Sequence, residues 1–333
     1  MARRGWTGRS LGGAALIIPL GWLLRRCGPV LPRLLGPLLA PLALAFLPGL
    51  RPALDAWWRR VRPDWPADRR QAAALRQLAG FARMCCDRMC AYTHRDQVRV
   101  ATTRADVRRL RAGLRGGAVL ISAHFGAWEL ASRLLSRLGD QRVHAVMLQA
   151  EDPRIRAAID AAMGDRPPLI IDPRNGPAAA VAVASALQAG EPVCFLGDRV
   201  MPGQDAVEVH LFGGLLRLPA GPFLIAAAKR AALVSCFMVE VRPGLWALRV
   251  HPARRMALPA QRSQRRAALA GWAQIWADDL ATVVRDHPDQ WWNFQDLWRE
   301  ARAQGARAHT RQMNGNARRA APTPNATHRL LMK

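Results

Sequence analysis

A histidine and a glutamate five positions apart are the residues of this sequence best suited to acid–base chemistry. His124 follows the apolar run 118–122, and Glu129 lies further on, with Gly126 and Trp128 between them. A neutral imidazole can accept a proton from an attacking hydroxyl, and a carboxylate on its other ring nitrogen fixes the tautomer and stabilises the imidazolium that forms. The pair therefore predicts His124 as a general base oriented by Glu129, without a serine or cysteine nucleophile.

The spacing of the pair sets a condition on the local structure. Five positions along one continuous helix correspond to a rotation of about 500°, so the two side chains would point about 140° apart. They can meet only if His124 stands in the turn before a helix whose first turns carry Glu129. Gly126 favours such a turn because glycine tolerates left-handed backbone conformations. A purely structural histidine is the alternative that this motif alone leaves open.

Four further segments accompany the motif along the chain. Residues 124–129 read His-Phe-Gly-Ala-Trp-Glu and resemble the His-x4-Asp/Glu motif of the lipid A late acyltransferases, the lauroyl/myristoyl transferase branch of the lysophospholipid acyltransferase superfamily. Residues 195–199 resemble that family's Asp-containing segment at the end of a later strand, and residues 207–214 resemble its strand that leads into Phe-Phe-Gly. Residues 219–222 resemble its Gly-Pro start of an Ala-rich helix, and residues 287–298 resemble its C-terminal Pro-x-Gln-Trp signature.

This resemblance covers roughly residues 6–298 and implies a definite chemistry. It implies acyl transfer from an acyl carrier protein to a hydroxyl of a membrane-bound acceptor lipid of the lipid A type. It also implies that His124 and Glu129 are the catalytic residues and that no cofactor is needed. Substrate contacts are expected at Asp198, Arg199, Gly126, Trp128 and Arg217.

Two arginines in this set have more than one interpretation. Arg199 is a candidate for contacting a phosphate or stabilising oxyanion charge, and an internal ion pair with Asp198 or another acid is the alternative. Arg217 is a candidate phosphate contact, and a solvated surface position is its alternative.

The chain departs from the family pattern at two places. Ala127 stands where the family more often has Asn, and Asp198-Arg199 stands where it often has Asp-x-Asp. The second departure resembles relatives associated with aryl-polyene-type pigment synthesis. An acceptor outside lipid A, such as a pigment of this type or another lipid, is therefore the alternative within the acyltransferase class.

The elements that position these residues are indicated by apolar runs that alternate with helical patterns. The alternation predicts an α/β fold with a mainly parallel central sheet flanked by helices, in which ligands bind at the carboxyl ends of the strands. Strands are predicted at 118–122, 143–148, 169–171, 192–196 and 207–212, with a hairpin of 232–241 and 245–251. Helices are predicted at 71–92, 127–138, 154–163, 177–188, 221–230 and 262–285.

Residues 1–67 are apolar and rich in arginine, and they predict a helical membrane-docking element ahead of a catalytic domain at 68–300. Within them, residues 28–50 are apolar apart from Arg33, but that arginine and five prolines make insertion energetically marginal. Residues 11–60 are therefore expected to form a membrane-embedded or interface-lying hairpin, with the Trp-Trp-Arg-Arg segment 57–60 at headgroup level. A buried apolar helix pair is the alternative.

Charge narrows the classes of partner. The chain has 333 residues with 49 Lys+Arg against 24 Asp+Glu, a net charge of +25. The charge favours an anionic membrane surface, a phosphate-bearing substrate or an acidic protein carrier as partners. The family resemblance implies that the carrier is acyl carrier protein and that the protein acts at the cytoplasmic face of a bacterial inner membrane. Nucleic acid is not expected, because the sequence contains no nucleic-acid-binding fold signature. A basic membrane or nucleic-acid binding protein without catalysis is the remaining alternative from another class.

Two further features complete the sequence-based interpretation. The six cysteines lack the paired spacing of a zinc site, so no metal is expected and free thiols in a reducing compartment are predicted. Residues 301–333 are basic and without periodicity, and they are expected to form a disordered tail.

Overall fold

Strands and helices alternate along most of the chain. The computed structural model describes residues 22–24, 26–28, 30–47, 49–93, 98–131, 134–135, 141–148, 168–201 and 203–298. Its strands are β1 (Arg99–Thr102), β2 (Ala118–Ser122), β3 (His144–Val146), β4 (Leu169–Ile171), β5 (Val193–Leu196), β6 (Ala206–Leu211), β7 (Gly214–Pro219), β8 (Ala232–Arg242), β9 (Leu245–Val250) and β10 (Arg254–Arg255). Its α-helices are α1 (Val30–Phe46), α2 (Leu50–Val61), α3 (Ala67–Thr93), α4 (Arg104–Leu114), α5 (Pro177–Gln188), α6 (Gly221–Ala228) and α7 (Arg265–Asp286). Short 3₁₀ turns occur at Trp128–Leu130, Pro173–Asn175, Arg262–Gln264 and Pro288–Gln290.

An eight-stranded sheet forms the centre of the protein, in the order β1-β9-β8-β2-β5-β3-β4 with β10 paired to β8. The neighbours from β8 to β4 are all parallel, whereas the β8–β9 hairpin is antiparallel. Strands β6 and β7 form a separate antiparallel ribbon. The predicted α/β fold with a mainly parallel central sheet is confirmed.

Strand β2 contributes to a core on both faces of the sheet. Val119 and Ile121 pack into the core that contains residues of α7, α6 and α5, while Ala118 and Leu120 pack into the core that contains residues of α3 and α4. Successive side chains of a strand point to opposite faces, and a parallel strand covered on both faces is apolar at every position. The uninterrupted apolar run before His124 is the sequence counterpart of this burial.

Most of the predicted elements agree with the structure, but strands β1 and β7 and helix α4 were not predicted. Strands β2 and β4 and helix α5 have the predicted bounds, and β5, β8, β9 and α7 differ from them by a few residues. In place of a helix at 127–138 there is a 3₁₀ turn at Trp128–Leu130, followed by helical residues in the described part of that stretch. The predicted helix at 154–163 and the predicted tail at 301–333 lie outside the described residues.

Helix α1 has an apolar surface that is exposed among the described residues. One side packs on α3, where a Cβ at Gly36 would lie 3.2 Å from the Ala79 carbonyl oxygen. On the other side, a row of large apolar side chains four positions apart is 51–77% exposed; its members are Leu34, Leu38, Leu42 and Phe46. We call this row the α1 stripe.

The length and apolar character of the described helices bear on whether any of them could span a bilayer. No single one is long and apolar enough to cross a membrane. Residues 36–46 and helix α2 satisfy the criteria of length and composition only when taken together, and they meet at a bend of 109°.

The predicted position of Trp57 and Trp58 at headgroup level is wrong. Both side chains are buried in the protein core. The indole N–H of Trp58 donates to Gln77 Oε1 at 2.9 Å, and that of Trp57 donates to the Pro288 carbonyl at 3.1 Å. Helix α2 is amphipathic, and its apolar side faces α3 and the C-terminal segment rather than lipid. Pairing of both indole N–H groups removes the need for a membrane interface to satisfy them.

A buried carboxylate fastens α7 to the sheet. Asp279 accepts a hydrogen bond from the Ser235 hydroxyl at 2.6 Å, forms an ion pair with Arg254, and lies 3.1 Å from Nδ1 of His251. Burial raises the pKa of Asp279, but the hydrogen bonds from His251, Arg254 and Ser235 lower it by a larger amount. The net result is a pKa of about 2. The carboxylate is therefore charged at neutral pH and contributes to stability.

We expect Asp279→Asn to lower the free energy of unfolding at pH 7 by about 2–3 kcal/mol, because the variant loses the stabilisation that the lowered pKa reports and leaves the Arg254 guanidinium without its partner. A group whose pKa is lower when folded stabilises the protein above its unfolded pKa, so the difference from wild type should shrink as pH falls from 5 to 2. Denaturant unfolding at several pH values measures this. The exposed neighbour Asp278→Asn is the control; an equal loss there, or a difference independent of pH, would contradict the assignment.

Candidate active site

The carboxyl ends of two adjacent parallel strands bring His124 and Asp198 together. In the register of β2 and β5, Ser122 is paired with Leu196, and the Gly197 N–H donates to the Ser122 carbonyl at 2.8 Å. His124 and Asp198 each lie two residues beyond these paired positions. The site thus forms at the edge of the sheet where open α/β folds bind ligands.

A carboxylate with three donors holds the histidine ring. His124 Nδ1 lies 2.8 Å from Asp198 Oδ1, and the His124 backbone N–H donates to Oδ2 at 3.1 Å. The indole N–H of Trp291 also donates to Oδ2, at 2.9 Å. Because an ionised carboxylate can only accept, Nδ1 must carry the proton in the neutral ring, and Nε2 then carries the lone pair.

The two members of the pair differ in exposure. The Asp198 side chain is fully buried, whereas the His124 side chain is 27% exposed. Among the described residues, Nε2 of His124 has no hydrogen-bond partner. The basic nitrogen is therefore available to a substrate, while the charge that supports it is shielded from water.

Electrostatics keep Asp198 ionised despite its burial. Burial raises the pKa of Asp198, but attraction to His124 and Arg199 and the hydrogen bonds from His124 and Trp291 outweigh this effect. The net result is a pKa well below the usual range of an aspartate. A charged carboxylate beside Nδ1 stabilises the imidazolium that would form during proton transfer.

The predicted pairing of Glu129 with His124 is wrong. Arg88 Nη1 on α3 donates to Glu129 Oε1 at 2.8 Å, and no contact joins Glu129 to His124 in the described part of the chain. Asp198 already occupies Nδ1, and the turn at 128–130 carries the Glu129 carboxylate toward α3. Glu129 therefore pairs with Arg88 and links the turn after His124 to α3, and it does not contact the imidazole.

Gly126 has a backbone conformation that would be strained for a residue with a side chain. Its φ is +52°, and a Cβ there would lie 1.7 Å from the Met238 carbonyl oxygen. The turn lies directly against β8, which leaves no room for a side chain. Trp128, two residues later, has its ring centroid 6.3 Å from that of His124 in an edge-on arrangement. Gly126 therefore shapes the turn, and Trp128 flanks the imidazole.

The C-terminal segment 290–292 clamps the His124 turn. The Gly126 N–H donates to the Gln290 carbonyl, and the Trp292 N–H donates to the His124 carbonyl, both at 2.8 Å. The Trp292 indole N–H donates to the Gly126 carbonyl at 2.8 Å. None of these three hydrogen bonds is predicted by the sequence patterns, because they join segments that lie more than 160 positions apart.

The arginines predicted to contact substrate occupy different places. Arg199 does not form the alternative ion pair with Asp198; its Nη2 donates to the Trp292 carbonyl at 2.8 Å, and its Nε is buried without a partner among the described residues. Arg217 lies in β7, opposite Glu208 on the separate ribbon, and makes no contact with His124 or Asp198. The structure therefore brings Arg199, but not Arg217, to the His124–Asp198 pair.

Buried thiols do not offer a nucleophile near the site. Burial raises the pKa of Cys85 to about 11, and burial together with neighbouring groups raises that of Cys86 to about 12. Burial also raises the pKa of Cys236 to about 12. These groups are protonated at neutral pH and hence unreactive. In the described ranges, no three His, Cys, Asp or Glu side chains are grouped as metal ligands would be.

Comparison with known proteins identifies the family. Residues 10–300 match the family described as "Bacterial lipid A biosynthesis acyltransferase". A phosphatidylinositol mannoside acyltransferase of Mycobacterium tuberculosis is 28% identical over 213 residues, which are 61% of this chain and 60% of the relative. One of Mycolicibacterium smegmatis is 24% identical over 193 residues, 55% of this chain and 57% of the relative. The chain thus spans about three fifths of the length of these curated relatives. Since the family match covers most of the sequence, the chain belongs to the bacterial lipid A biosynthesis acyltransferase family.

Proposed function

We propose that this protein is a membrane-associated O-acyltransferase that moves a fatty acyl group from an acyl carrier protein thioester to a hydroxyl of a lipid A-type acceptor. The observation that carries the proposal is the 2.8 Å contact between His124 Nδ1 and the buried Asp198 carboxylate at the carboxyl edge of the sheet. Membership of the acyltransferase family supports the reaction class.

The proposed reaction uses His124 as general base and then as general acid. Nε2 removes the proton of the acceptor hydroxyl as its oxygen attacks the thioester carbonyl carbon. The tetrahedral intermediate collapses with cleavage of the carbon–sulfur bond, and the imidazolium returns the proton to the leaving thiolate. The products are an ester and the free thiol of the carrier. Asp198 stays ionised throughout and stabilises the transient imidazolium.

Arg199 supplies positive charge beside this pair. One of its nitrogens is bonded to the Trp292 carbonyl, and guanidinium offers five N–H donors in all. We propose that its remaining donors contact a phosphate of the acceptor or the oxyanion of the intermediate.

The other predicted site residues have supporting roles in this proposal. Glu129 anchors the turn after His124 through Arg88, and Gly126 gives that turn its path. Trp128 forms a wall beside the imidazole against which substrate packs. Arg217, on the ribbon, is proposed as a more distant phosphate contact.

The α1 stripe supports docking to a membrane. An apolar helix face of this kind inserts into the boundary between headgroups and acyl chains, and the excess of arginine favours anionic lipid. We place the protein at the cytoplasmic face of a bacterial inner membrane, where acyl carrier protein is also available. The acidic surface of that carrier suits a chain with a net charge of +25.

A second candidate acceptor is favoured by the curated relatives. Those proteins are named phosphatidylinositol mannoside acyltransferases, so a mannosylated phospholipid is the alternative to a lipid A precursor. Purified protein offered an acylated carrier and each acceptor in turn distinguishes the two by the mass of the product. Absence of an acylated product with both glycolipids would contradict the proposed acceptor class.

We expect His124→Ala to abolish transfer and Asp198→Asn to lower kcat by about 10²–10⁴-fold, because the neutral amide neither supports the imidazolium nor fixes the tautomer. Glu129→Gln should cost less, roughly tenfold, because it loosens only the turn that follows the base. Steady-state assays with an acylated carrier measure these effects, with thermal unfolding as the control for folding. A larger loss for Glu129→Gln than for Asp198→Asn would contradict the assignment of the orienting carboxylate.

We expect the double substitution Leu38→Glu and Leu42→Glu to lower binding to anionic vesicles by at least about tenfold, because two charges would have to enter the apolar boundary. Co-sedimentation with phosphatidylglycerol-containing vesicles measures the binding. Val181→Glu is the matched control, since Val181 is equally exposed on α5, away from the stripe. Equal loss in the control, or unchanged binding in the double variant, would rule out docking through α1.

A further inference from the structure

Trp291 contacts the charged partner of the base, and the proposed reaction gives it no part. Its indole N–H donates to Asp198 Oδ2 at 2.9 Å, and its side chain is fully buried. Oδ2 also accepts the backbone N–H of His124, while Oδ1 faces His124 Nδ1. Trp291 is therefore the one side chain other than the histidine that donates to this carboxylate in the described part of the chain.

The direction of the carboxylate depends on such donors. The terminal torsion of an aspartate is broad, with no strongly preferred staggered position. A hydrogen bond at Oδ2 limits rotation of the group and so keeps Oδ1 aimed at Nδ1 of His124. Loss of this bond would leave a buried anion with fewer donors, which is costly, and would allow the carboxylate to turn.

Trp291 is itself fixed from three sides. Its carbonyl accepts the side-chain N–H of Gln77 at 2.9 Å, and Gln77 Oε1 accepts the indole N–H of Trp58 at 2.9 Å. The rings of Trp57 and Trp298 pack edge-on against it, with centroids 5.0 Å and 6.3 Å away. Helices α2 and α3 and the C-terminal segment thus determine the direction of one N–H bond.

We infer that Trp291 is a positioning residue, whose indole N–H holds the Asp198 carboxylate in the orientation that presents His124 as a base. The inference rests on the proposed function, in which Asp198 orients His124. Apart from Trp291, the polar side chains that act on Asp198 are those of His124 and Arg199, and substitution of Trp291 changes neither of these residues.

Two variants at this position separate the N–H from the ring. Trp291→Phe removes the donor with part of the ring, and Trp291→benzothienylalanine, introduced as a noncanonical residue, removes the donor and preserves the ring volume. Trp298→Phe is the matched control, because it deletes a buried indole N–H whose acceptor is the Leu211 carbonyl at 3.1 Å, while the phenyl ring retains an aromatic edge against Trp291.

The first readout does not require a substrate. Diethyl pyrocarbonate acylates neutral imidazole nitrogen, and its rate at His124 can be followed by peptide mass spectrometry relative to the exposed His210. Both Trp291 variants should react about three- to tenfold more slowly at His124, because a misdirected carboxylate supports Nε2 less well. Trp298→Phe should react at the wild-type rate.

The second readout is the division between kcat and KM with an acylated carrier. Both Trp291 variants should lose about tenfold or more in kcat with KM within twofold of wild type. Unchanged His124 modification in the benzothienylalanine variant, or an equal effect of Trp298→Phe, would overturn the inference. A wild-type protein inactive with every acylated carrier would overturn the proposed function instead, and the modification rates would still decide the role of Trp291.

Discussion

The buried charge of Asp198 is the constraint on which the rest of the site depends. Removing a carboxylate from water costs several kcal/mol, and only well-placed donors and charges offset that cost. Two hydrogen bonds from His124, one from the Trp291 indole and the nearby Arg199 charge provide this compensation. The same contacts that make the burial tolerable also fix the imidazole, so stability and chemistry share one set of bonds.

The surrounding elements follow from that arrangement. The parallel register of β2 and β5 sets the distance between His124 and Asp198. Hydrogen bonds from segment 290–292 fix the turn that carries His124. Gly126 allows the turn to lie against β8, where a side chain would collide. Helix α2 is connected to Asp198 through hydrogen bonds. Trp58 on α2 donates to Gln77, Gln77 donates to the Trp291 carbonyl, and the Trp291 indole donates to Asp198. Helix α2 and the buried acid are therefore parts of one hydrogen-bonded structure.

Much of this could be predicted from the sequence, and the exceptions have physical causes. The apolar run before His124 and the glycine after it indicate a buried strand and a tight turn, and both are present. The pairing of His124 with Asp198 depends on which strands are neighbours, and periodicity carries no information on strand order. Glu129 was misassigned because short spacing suggested contact, whereas Arg88 on α3 competes for its charge. The burial of Trp57 and Trp58 likewise depends on partners more than ten residues away in the sequence.

The protonation state of the His124 ring tests the central claim most directly. Protein labelled with ¹⁵N-histidine can be examined by long-range ¹H–¹⁵N correlation spectra at pH 8, with His124 assigned by its substitution. The account predicts a proton on Nδ1, an unprotonated Nε2, and a change in this pattern in Asp198→Asn but not in Glu129→Gln. A proton on Nε2 in the wild type, or a pattern that changes with Glu129 and not with Asp198, would contradict it.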